Sequence, residues 1–294
     1  MSPTLIFRVK LLIALVFISS FLLSIFVNGQ SIPAFPGAEG FGKFTKGGRG
    51  GKVYIVTNLN DSGQGSFREA VEANGPRIVV FEVSGNIILK SRLNVGDSNL
   101  TIAGQTAPGE GITLQNFPFQ VIGSDNVIIR FLRFRLGDIP GYANDAFEAR
   151  EGKDFIIDHC SFSWGTDETC SIYDLENATI QNCIISEGLN DSVHEKGLHG
   201  YGSLIGGNKY SFYNNLIAHF TLRAPSLSTL GTRHGVVDLR NNVIYNWGQR
   251  STNNGSYPVT ANLYNNLYKP GPETINAGSH IPNNFLWPTG SDYG

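Results

Sequence analysis

Three acidic residues at two points of the sequence have the type and spacing to bind a cation. Asp145 stands in the segment NDAF, and Asp167 and Glu168 stand in GTDET, one repeat further along the chain. Since the two segments occupy the same place in successive repeats, the acids would meet on one face. Carboxylate oxygens grouped in this way suit Ca²⁺, a hard cation that takes several oxygen ligands. Taken singly, the same residues could be turn acids that accept backbone N–H groups.

The elements that would position these acids are short strands that recur along the chain. Each is rich in Val, Ile, Phe or Tyr and is bounded by turn residues. The starts are Asn99, Asn126, Asp154, Asn177, Lys209, Gly235 and Pro258. No long helix fits between them. Strands that return at similar intervals without helices predict an all-β parallel coil whose successive turns stack.

One position in each coil predicts a ladder of stacked side chains. Its members are Leu132, Cys160, Cys183, Asn215, Asn242 and Asn266. Stacked Asn amides hydrogen-bond to one another along the axis of such a stack. The three cysteines, which include Cys170, are too few and odd in number for a disulfide framework. We interpret them as small buried hydrophobic residues, although the spacing leaves a Cys160–Cys183 disulfide open.

The N-terminal segment differs from the rest of the chain. Residues 1–29 combine Arg8 and Lys10 with an apolar run and small residues at its end, which predicts a secretory signal peptide. An uncleaved N-terminal anchor is the alternative. Residues 30–294 would then form the β-helix domain.

Two features mark the ends of the predicted coil stack. The segment from Ser66 to Glu69 has the pattern of a capping box, which predicts a short helix over the N-terminal end of the stack. The repeat fades after about Tyr268 without a second capping element. The domain could therefore be truncated, and the natural chain could continue past Gly294.

The charge of the chain limits its partners. The formal net charge is −2, and it becomes −4 once Arg8 and Lys10 are removed with the signal. A mildly acidic protein has no electrostatic attraction to nucleic acid. No later apolar run approaches the N-terminal one in length, so no membrane span is expected after signal removal. A polyanionic substrate would require cations gathered in one cleft, or a bound cation.

Five motifs, in this order along the chain, carry a family resemblance. They are AFPGAEGFG from Ala34, VTNLNDSGQGSFREAV from Val56, DAFEAREGKDFIIDHCSFSWGTDET from Asp145, HEKGLHGYG from His194 and NNVIYNWG from Asn241. The sequence resembles the pectate lyase family (polysaccharide lyase family one), especially its secreted bacterial branch. The resemblance implies a right-handed parallel β-helix, a Ca²⁺ requirement, a polygalacturonate substrate and secretion. We expect a monomer.

The resemblance also implies roles for particular residues. Asp145, Asp167 and Glu168 become the candidate Ca²⁺ ligands. Lys196 matches a lysine that contacts the substrate carboxylate, and Arg223 matches the arginine thought to take the C5 proton in β-elimination. A guanidinium is normally always charged, so this role would require a lowered pKa from neighbouring positive charge.

The sequence departs from the family pattern at several positions. Ala143 and Ser171 stand where the family has carboxylates, so the choice between Asp167 and Glu168 as ligand stays open. Ser226 and Ser228 stand where a second catalytic arginine is usual, and Arg233 is the candidate to replace it.

The histidines divide into two groups. His194 and His199 flank Lys196 and are predicted to line the substrate cleft. His159 lies beside the ladder and is expected to be structural. The sequence contains no Cys/His spacing typical of a zinc site.

Three other functions would require different residues. A polygalacturonase needs paired aspartates with NTD and RIK motifs, neither of which is present. A pectin lyase, acting on methylated pectin, would replace the acids at Asp145, Asp167 and Glu168. A non-catalytic carbohydrate-binding or adhesin-type β-helix would have no need of Lys196 and Arg223.

Overall fold

The computed structural model describes residues 31–228, 235–254 and 259–276. The chain divides into Met1–Ile32 and a compact unit, Pro33–Gly294. The predicted signal peptide lies outside the described residues. Among the described residues, no helix has both the length and the apolar character needed to cross a membrane.

The described part of the chain is built almost entirely of short strands. In chain order they are β1 Lys52–Val56, β2 Arg77–Phe81, β3 Gly85–Ile88, β4 Leu93–Asn94, β5 Leu100–Ala103, β6 Ile112–Gln115, β7 Phe119–Ile122, β8 Val127–Arg130, β9 Leu132–Arg135, β10 Phe147–Arg150, β11 Gly152–Asp158, β12 Ser161–Ser163, β13 Cys170–Gln181, β14 Ile184–Ser186, β15 Leu204–Tyr213, β16 Leu216–Phe220, β17 Ser226–Leu227, β18 Gly235–Arg240, β19 Val243–Trp247, β20 Asn253–Asn254, β21 Val259–Tyr264 and β22 Leu267–Lys269. Two α-helices, α1 Phe67–Glu72 and α2 Pro272–Asn276, and two 3₁₀ turns, Phe41–Phe44 and Gly104–Thr106, complete the described elements.

These strands form two parallel sheets, one of 14 strands and one of 8. The eight-stranded sheet takes one strand from each successive coil, in the order β3, β6, β9, β12, β14, β16, β19, β22. In the larger sheet, β13 and β15 run for 12 and 10 residues. Each of them pairs with two shorter strands of a neighbouring coil: β13 pairs with β10 and β11, and β15 pairs with β17 and β18. The chain is thus an all-β, right-handed parallel β-helix, which confirms the predicted fold.

Asn residues at the bends explain the repeat seen in the sequence. Asn99 and Asn126 precede strands, Asn177 lies within the long strand β13, and all three have φ between 53° and 61°. A left-handed backbone is costly for most side chains, but Asn tolerates it because its short amide bonds locally. A second set of bends, which includes Asn182 and Asn214, has the same conformation between the two sheets.

The predicted ladder forms in the interior. Nδ2 of Asn215 donates to Oδ1 of Asn242 at 3.2 Å, and Nδ2 of Asn242 donates to Oδ1 of Asn266 at 2.9 Å. Oδ1 of Asn215 also accepts the backbone N–H of Cys183 at 2.8 Å. Each amide therefore satisfies backbone groups that the bend would otherwise leave unpaired inside the protein. The three cysteines are free thiols and buried, as expected.

An aromatic stack fills the coil next to the ladder. Phe119, Phe134, Phe147 and Phe162 have ring centroids 5.0–5.7 Å apart and are all fully buried. Burying one such ring contributes about 1.5–3 kcal/mol. Phe147 belongs to β10, so the strand that follows Asp145 is anchored in this core.

Short helices lie near both ends of the described stack. Ser66 caps α1, where its side chain accepts the N–H of Glu69, as the capping box predicts. The reciprocal bond shifts by one residue, since Oε2 of Glu69 accepts from the N–H of Gly65. Helix α2 was not predicted. Oγ1 of Thr274 donates to the carbonyl of Trp247, which ties α2 to β19.

Candidate active site

The three predicted acids come together at the start of two neighbouring coils. The pairing of β10 with β13 places Phe147 beside Cys170, and the same register extends back to Asp145 and Glu168. The backbone N–H of Glu168 donates to Oδ1 of Asp145 at 3.2 Å. One carboxylate oxygen from each of Asp145, Asp167 and Glu168 lies within 4.8 Å of the others. The structure therefore brings these acids to one face, with Glu168 rather than Asp167 in register with Asp145.

Two histidines hold the carboxylate of Asp167. Nε2 of His199 lies 2.9 Å from Oδ1 of Asp167, and Nε2 of His194 lies 3.6 Å from the same oxygen. The two imidazole rings stack with centroids 3.7 Å apart. Their side chains are only 5% and 8% exposed. Little of either ring is available to a substrate, so the structure places them behind Asp167 rather than along an open cleft.

Lys196 lies between these histidines in sequence and is exposed. Its backbone N–H donates to Nδ1 of His194 at 3.0 Å, so the neutral His194 ring carries its proton on Nε2, towards Asp167. Burial lowers the pKa of His199, and the charges of His194 and Lys196 add to this effect against the attraction of Asp167. Lys196 therefore belongs to the same turn as the two histidines, with its side chain exposed.

Arg223 faces the acids from two coils further along the chain, with Tyr201 on the coil between them. Nη1 of Arg223 forms an ion pair with Oε1 of Glu168. The backbone of Arg223 is left-handed, with φ of 57°. Gly202 lies directly opposite, and a Cβ there would come within 2.4 Å of the Arg223 carbonyl. A glycine in the HGYG segment is thus required for this arginine to sit where it does.

Two residues of the site were not singled out from the sequence. Tyr201 bridges the Glu168 and Leu222 positions on neighbouring coils, and the centre of its ring is 4.9 Å from Cζ of Arg223. Ser171, noted only as a departure from the family pattern, acts to lower the pKa of the Asp145 carboxyl group. The position of Tyr201 next to HEKGLHG was the available signal for it.

The electrostatics of the cluster are unfavourable without a cation. Burial raises the pKa of Asp145 well above its ordinary value; Asp167 and Glu148 raise it further, while Ser171 and Arg223 oppose them. Burial lowers the pKa of Arg223, against the opposing charges of Asp167 and Asp145.

The donor set of the acids fits Ca²⁺. Three carboxylates offer the hard oxygen ligands that this ion prefers. Oε1 of Glu168 is buried, and its charged partner among the described residues is Arg223. The alternative group of Asp167, His194 and His199 also lies within 4.8 Å. It suits a metal less well, because the Nε2 proton of His194 points at the shared space.

The remaining predicted positions can be placed only in part. Ser226 and Ser228 are buried, so neither offers a side chain to a substrate, and Arg233 lies outside the described residues. His159 stacks on Phe131 with ring centroids 4.7 Å apart, and its Nδ1 lies 2.8 Å from Oδ1 of Asp158. This contact with the Asp158 network is the structural role expected of it.

Two cavities lie away from the acidic cluster. One of about 790 Å³ is lined by residues such as Asp125, Glu151 and Asp174, and another of about 560 Å³ lies near Phe131. The acids, Lys196 and Arg223 line neither of them. They stand on the outer face of the coil stack, where an extended polymer can bind across several coils.

Fold and site together define a class of protein: a parallel β-helix with a cluster of three acids, Lys196 in a neighbouring turn and Arg223 paired with one of the acids. The chain is 43% identical over 250 residues to probable pectate lyase C of Aspergillus terreus, covering 83% of this chain and 56% of that protein. It is 42% identical over 277 residues to probable pectate lyase C of Neosartorya fischeri, covering 88% and 61%. The chain is therefore related to the pectate lyase family along most of its length, and it spans little more than half of these relatives.

Solved structures agree on the fold. The major allergen of cedar pollen, jun a 1, superposes with a TM-score of 0.53 at 17% identity over 87% of this chain and 86% of that one. A mutant of Bacillus subtilis pectate lyase gives 0.54 at 14% identity over 88% and 94%. No protein-family model matches the chain. The two relatives compared above are fungal, so the expected likeness to a bacterial branch is not supported.

Proposed function

We propose that this chain is a secreted pectate lyase. It would cleave α-1,4-linked polygalacturonate by Ca²⁺-assisted β-elimination and leave 4,5-unsaturated oligogalacturonates. The observation that carries the proposal is the group of three carboxylates within 4.8 Å, with Arg223 against Glu168 on the same face. The similarity to curated pectate lyases supports the choice of substrate.

The chemistry of β-elimination explains why the site needs both carboxylate and cationic side chains. Elimination removes the proton on C5, next to the C6 carboxylate, and the electron pair left behind forms the C4=C5 bond as the C4–O bond breaks. The departing oxygen takes up a proton from water and becomes the hydroxyl of the other product. Asp145, Asp167 and Glu168 would hold Ca²⁺. When bound, this ion would neutralise the substrate carboxylate and make the C5 proton more acidic.

The cationic residues of the chain would carry the remaining roles. A guanidinium nitrogen of Arg223 would accept the C5 proton, a role favoured by the burial that lowers its pKa. The exposed ammonium of Lys196 would bind a substrate carboxylate. His194 and His199 would orient Asp167 through the contacts at 3.6 and 2.9 Å. Arg233 stays a candidate for the second arginine.

Residues 1–29 would direct secretion and be removed, and residues 30–294 would form a β-helix domain that acts as a monomer. An acidic protein that binds an acidic polymer depends on its bound cation and on a few placed cationic side chains. Both the net charge of −2 and the acidic cluster are consistent with that dependence.

One assay tests the function. Purified protein is incubated with polygalacturonate, with Ca²⁺ or with a chelator, and the ultraviolet absorbance of unsaturated ends is followed. We expect absorbance with Ca²⁺ and none with the chelator. Reducing ends without that absorbance would indicate hydrolysis, and activity that resists the chelator would remove Ca²⁺ from the mechanism. Highly methylated pectin as the better substrate would indicate a pectin lyase, and binding without any product would indicate a non-catalytic protein.

The ligand assignment has a separate test. Isothermal titration with Ca²⁺ compares the wild type with Asp145→Asn, Asp167→Asn and Glu168→Gln. Loss of a ligand should weaken Ca²⁺ binding at least ~10-fold, and the pattern decides between Asp167 and Glu168. Glu176→Gln, on the exposed part of β13, is the matched control and should bind like the wild type.

A further inference from the structure

Phe131 departs from the pattern of the bend between the two sheets. It has φ of 56°, and its ring is 37% exposed. A left-handed backbone is an outlier for a bulky side chain, whereas Asn and His adopt it more readily. Neither backbone preference nor burial explains a phenylalanine here, which indicates a role for the ring at the surface. The residues at this bend on the following coils are His159, Asn182, Asn214, Asn241 and Asn265, with φ between 54° and 57°.

The preceding coil leaves room beside the Phe131 ring. From the following coil, His159 stacks on the ring with centroids 4.7 Å apart, and Cζ of Arg130 lies 5.0 Å from the ring centroid. On the preceding coil, the pairing of β5 with β8 puts Gly104 at the same register position. Gly104 has no side chain, and a Cβ there would lie 2.5 Å from the Phe131 carbonyl oxygen. The cavity of about 560 Å³ is lined by Phe131, His159 and the loop that begins at Gly104.

The loop that forms the other wall of this cavity is held in place by hydrogen bonds. Oγ1 of Thr106 donates to the carbonyl of Ala103 at 2.7 Å and accepts the N–H of Phe81 at 2.9 Å. The N–H of Gly111 donates to the carbonyl of Pro108 at 3.1 Å. The cavity is therefore already formed, and a ligand would lose little binding free energy to ordering the loop.

Polar side chains of the cavity supply hydrogen-bonding groups of both kinds. Gln105 and Glu110 are exposed, and neither side chain bonds to another residue in the described ranges. Nε of Arg133 donates to Oγ1 of Thr113 at 2.8 Å, which leaves its Nη groups as donors. Since Glu110 and Arg133 carry opposite charges, the cavity does not favour a charged ligand of either sign. An aromatic wall with a few polar groups suits a small polar molecule that has an apolar face.

We propose that this cavity binds an uncharged sugar ring of the polymer, a methyl-esterified galacturonate, stacked on Phe131. The C–H groups on one face of a pyranose ring pack on the negative face of an aromatic ring. The sugar hydroxyls both donate and accept, so they match Gln105, Glu110 and Arg133. The choice of sugar rests on the proposed function. The site is a non-catalytic attachment point that needs no Ca²⁺, because none of the three acids lines it.

The test measures binding of methyl-esterified trigalacturonate by isothermal titration in excess chelator, which removes Ca²⁺ from the acids. Phe131→Asn introduces the residue that later coils have at this bend, so it removes the ring and keeps the backbone. We expect binding at least ~10-fold weaker than in the wild type. Phe131→Tyr keeps the ring and should bind within about 3-fold of the wild type. Phe44→Asn is the matched control, because Phe44 is 44% exposed and lies outside this cavity.

Thermal denaturation separates recognition from a structural role. Phe131→Asn should not lower the melting temperature, because Asn tolerates the left-handed backbone. Gln105→Ala, on the exposed loop, should weaken binding about 3- to 10-fold without a change in melting temperature.

Three results would overturn the proposal. They are no binding by the wild type in chelator, equal binding by the wild type and Phe131→Asn, and unchanged binding by Gln105→Ala when Phe131→Asn is destabilised. If the wild type forms no unsaturated product from polygalacturonate, the proposed function alone fails, because the titration does not depend on catalysis.

Discussion

Nε2 of His199 lies 2.9 Å from Oδ1 of Asp167, and the His199 ring stacks on His194 and contacts the tilted ring of Tyr201. Asp167 is 36% exposed, whereas the histidine that holds it is 8% exposed. A buried ring thus fixes the direction of a carboxylate that stands at the surface. Groups that orient metal ligands in this way commonly matter almost as much as the ligands themselves.

We therefore predict that His199→Asn weakens Ca²⁺ binding by about 10- to 100-fold. Asparagine is too short to reach Asp167 from the same backbone position, so the carboxylate loses its fixed orientation. Isothermal titration with Ca²⁺ measures the change. His219→Asn is the control, since His219 is exposed and contacts Asn246 instead. A change below about 3-fold, or an equal change in the control, would contradict the role given to His199.

Arg223→Lys should lower turnover of polygalacturonate by at least ~100-fold while Ca²⁺ binding changes less than about 3-fold. The ammonium keeps a positive charge beside Glu168, but the guanidinium nitrogen that would take the C5 proton is gone. The measurement pairs steady-state kinetics with titration of Ca²⁺. A residual rate above about a tenth of the wild type would remove Arg223 as the base, because general bases contribute about 10²- to 10⁴-fold.

The carboxylate of Asp158 should make the stability of the fold depend on pH. Both Nε and Nη2 of Arg130 donate to Oδ2 of Asp158, at 2.8 and 2.6 Å, and the Asp158 side chain is 1% exposed. Burial alone would raise its pKa, but hydrogen bonds from Asn182, Arg130, His159 and Gln181 outweigh it, and the pKa is lowered. A lowered pKa stabilises the fold above the unfolded value of about 3.9. That stabilisation is lost as the pH falls through the folded value.

Asp158→Asn should accordingly reduce the free energy of unfolding by about 3 kcal/mol at neutral pH, because Arg130 is left without its anion. The difference from the wild type should shrink as the pH falls below about 4. Urea denaturation at several pH values measures it. Asp238→Asn breaks a more exposed pair with Arg240 and should change stability by less than about 1 kcal/mol. A constant difference across pH would contradict the account.

The buried Asn ladder should contribute more to the free energy of unfolding than an exposed asparagine contact does. Asn215→Ala removes the acceptor for the N–H of Cys183 and the donors to Ile180 and Asn242. We expect a loss of about 3 kcal/mol, since buried backbone groups are left unpaired. Asn262→Ala breaks an exposed contact to Asp238 and should change stability by about 0.5 kcal/mol or less. Thermal or urea denaturation compares the two variants, and equal losses would mean that the ladder adds no stability of its own.

Much of the fold could be predicted because it repeats. The column from Cys160 through Asn266 was readable since each member occupies the same place in its coil, and the structure confirms the amide bonds along it. The N-cap of α1 could be predicted because its signal is local: the side chain of Ser66 accepts the N–H of a residue three positions on. Helix α2 was missed because its attachment to Trp247 is not local in sequence.

The site could be predicted only as a set of residues, without their directions. Spacing brought Asp145 near Asp167 and Glu168, but the register that pairs Glu168 with Asp145 depends on how β10 lies against β13. The burial of His194 and His199 depends on neighbouring coils.

The length of one coil suggests how this surface could diversify. Asp158 and its strand partner Gln181 are 23 residues apart, whereas Gln181 and its own partner Tyr213 are 32 residues apart. The strands of both coils pair in register in the larger parallel sheet. The extra residues of the longer coil therefore lie in a turn, and that turn contains His194, Lys196 and His199. Lengthening a loop adds little closure entropy. Insertions and deletions in this one turn could therefore change substrate recognition while the parallel sheets, and hence the folding of the domain, stay unchanged.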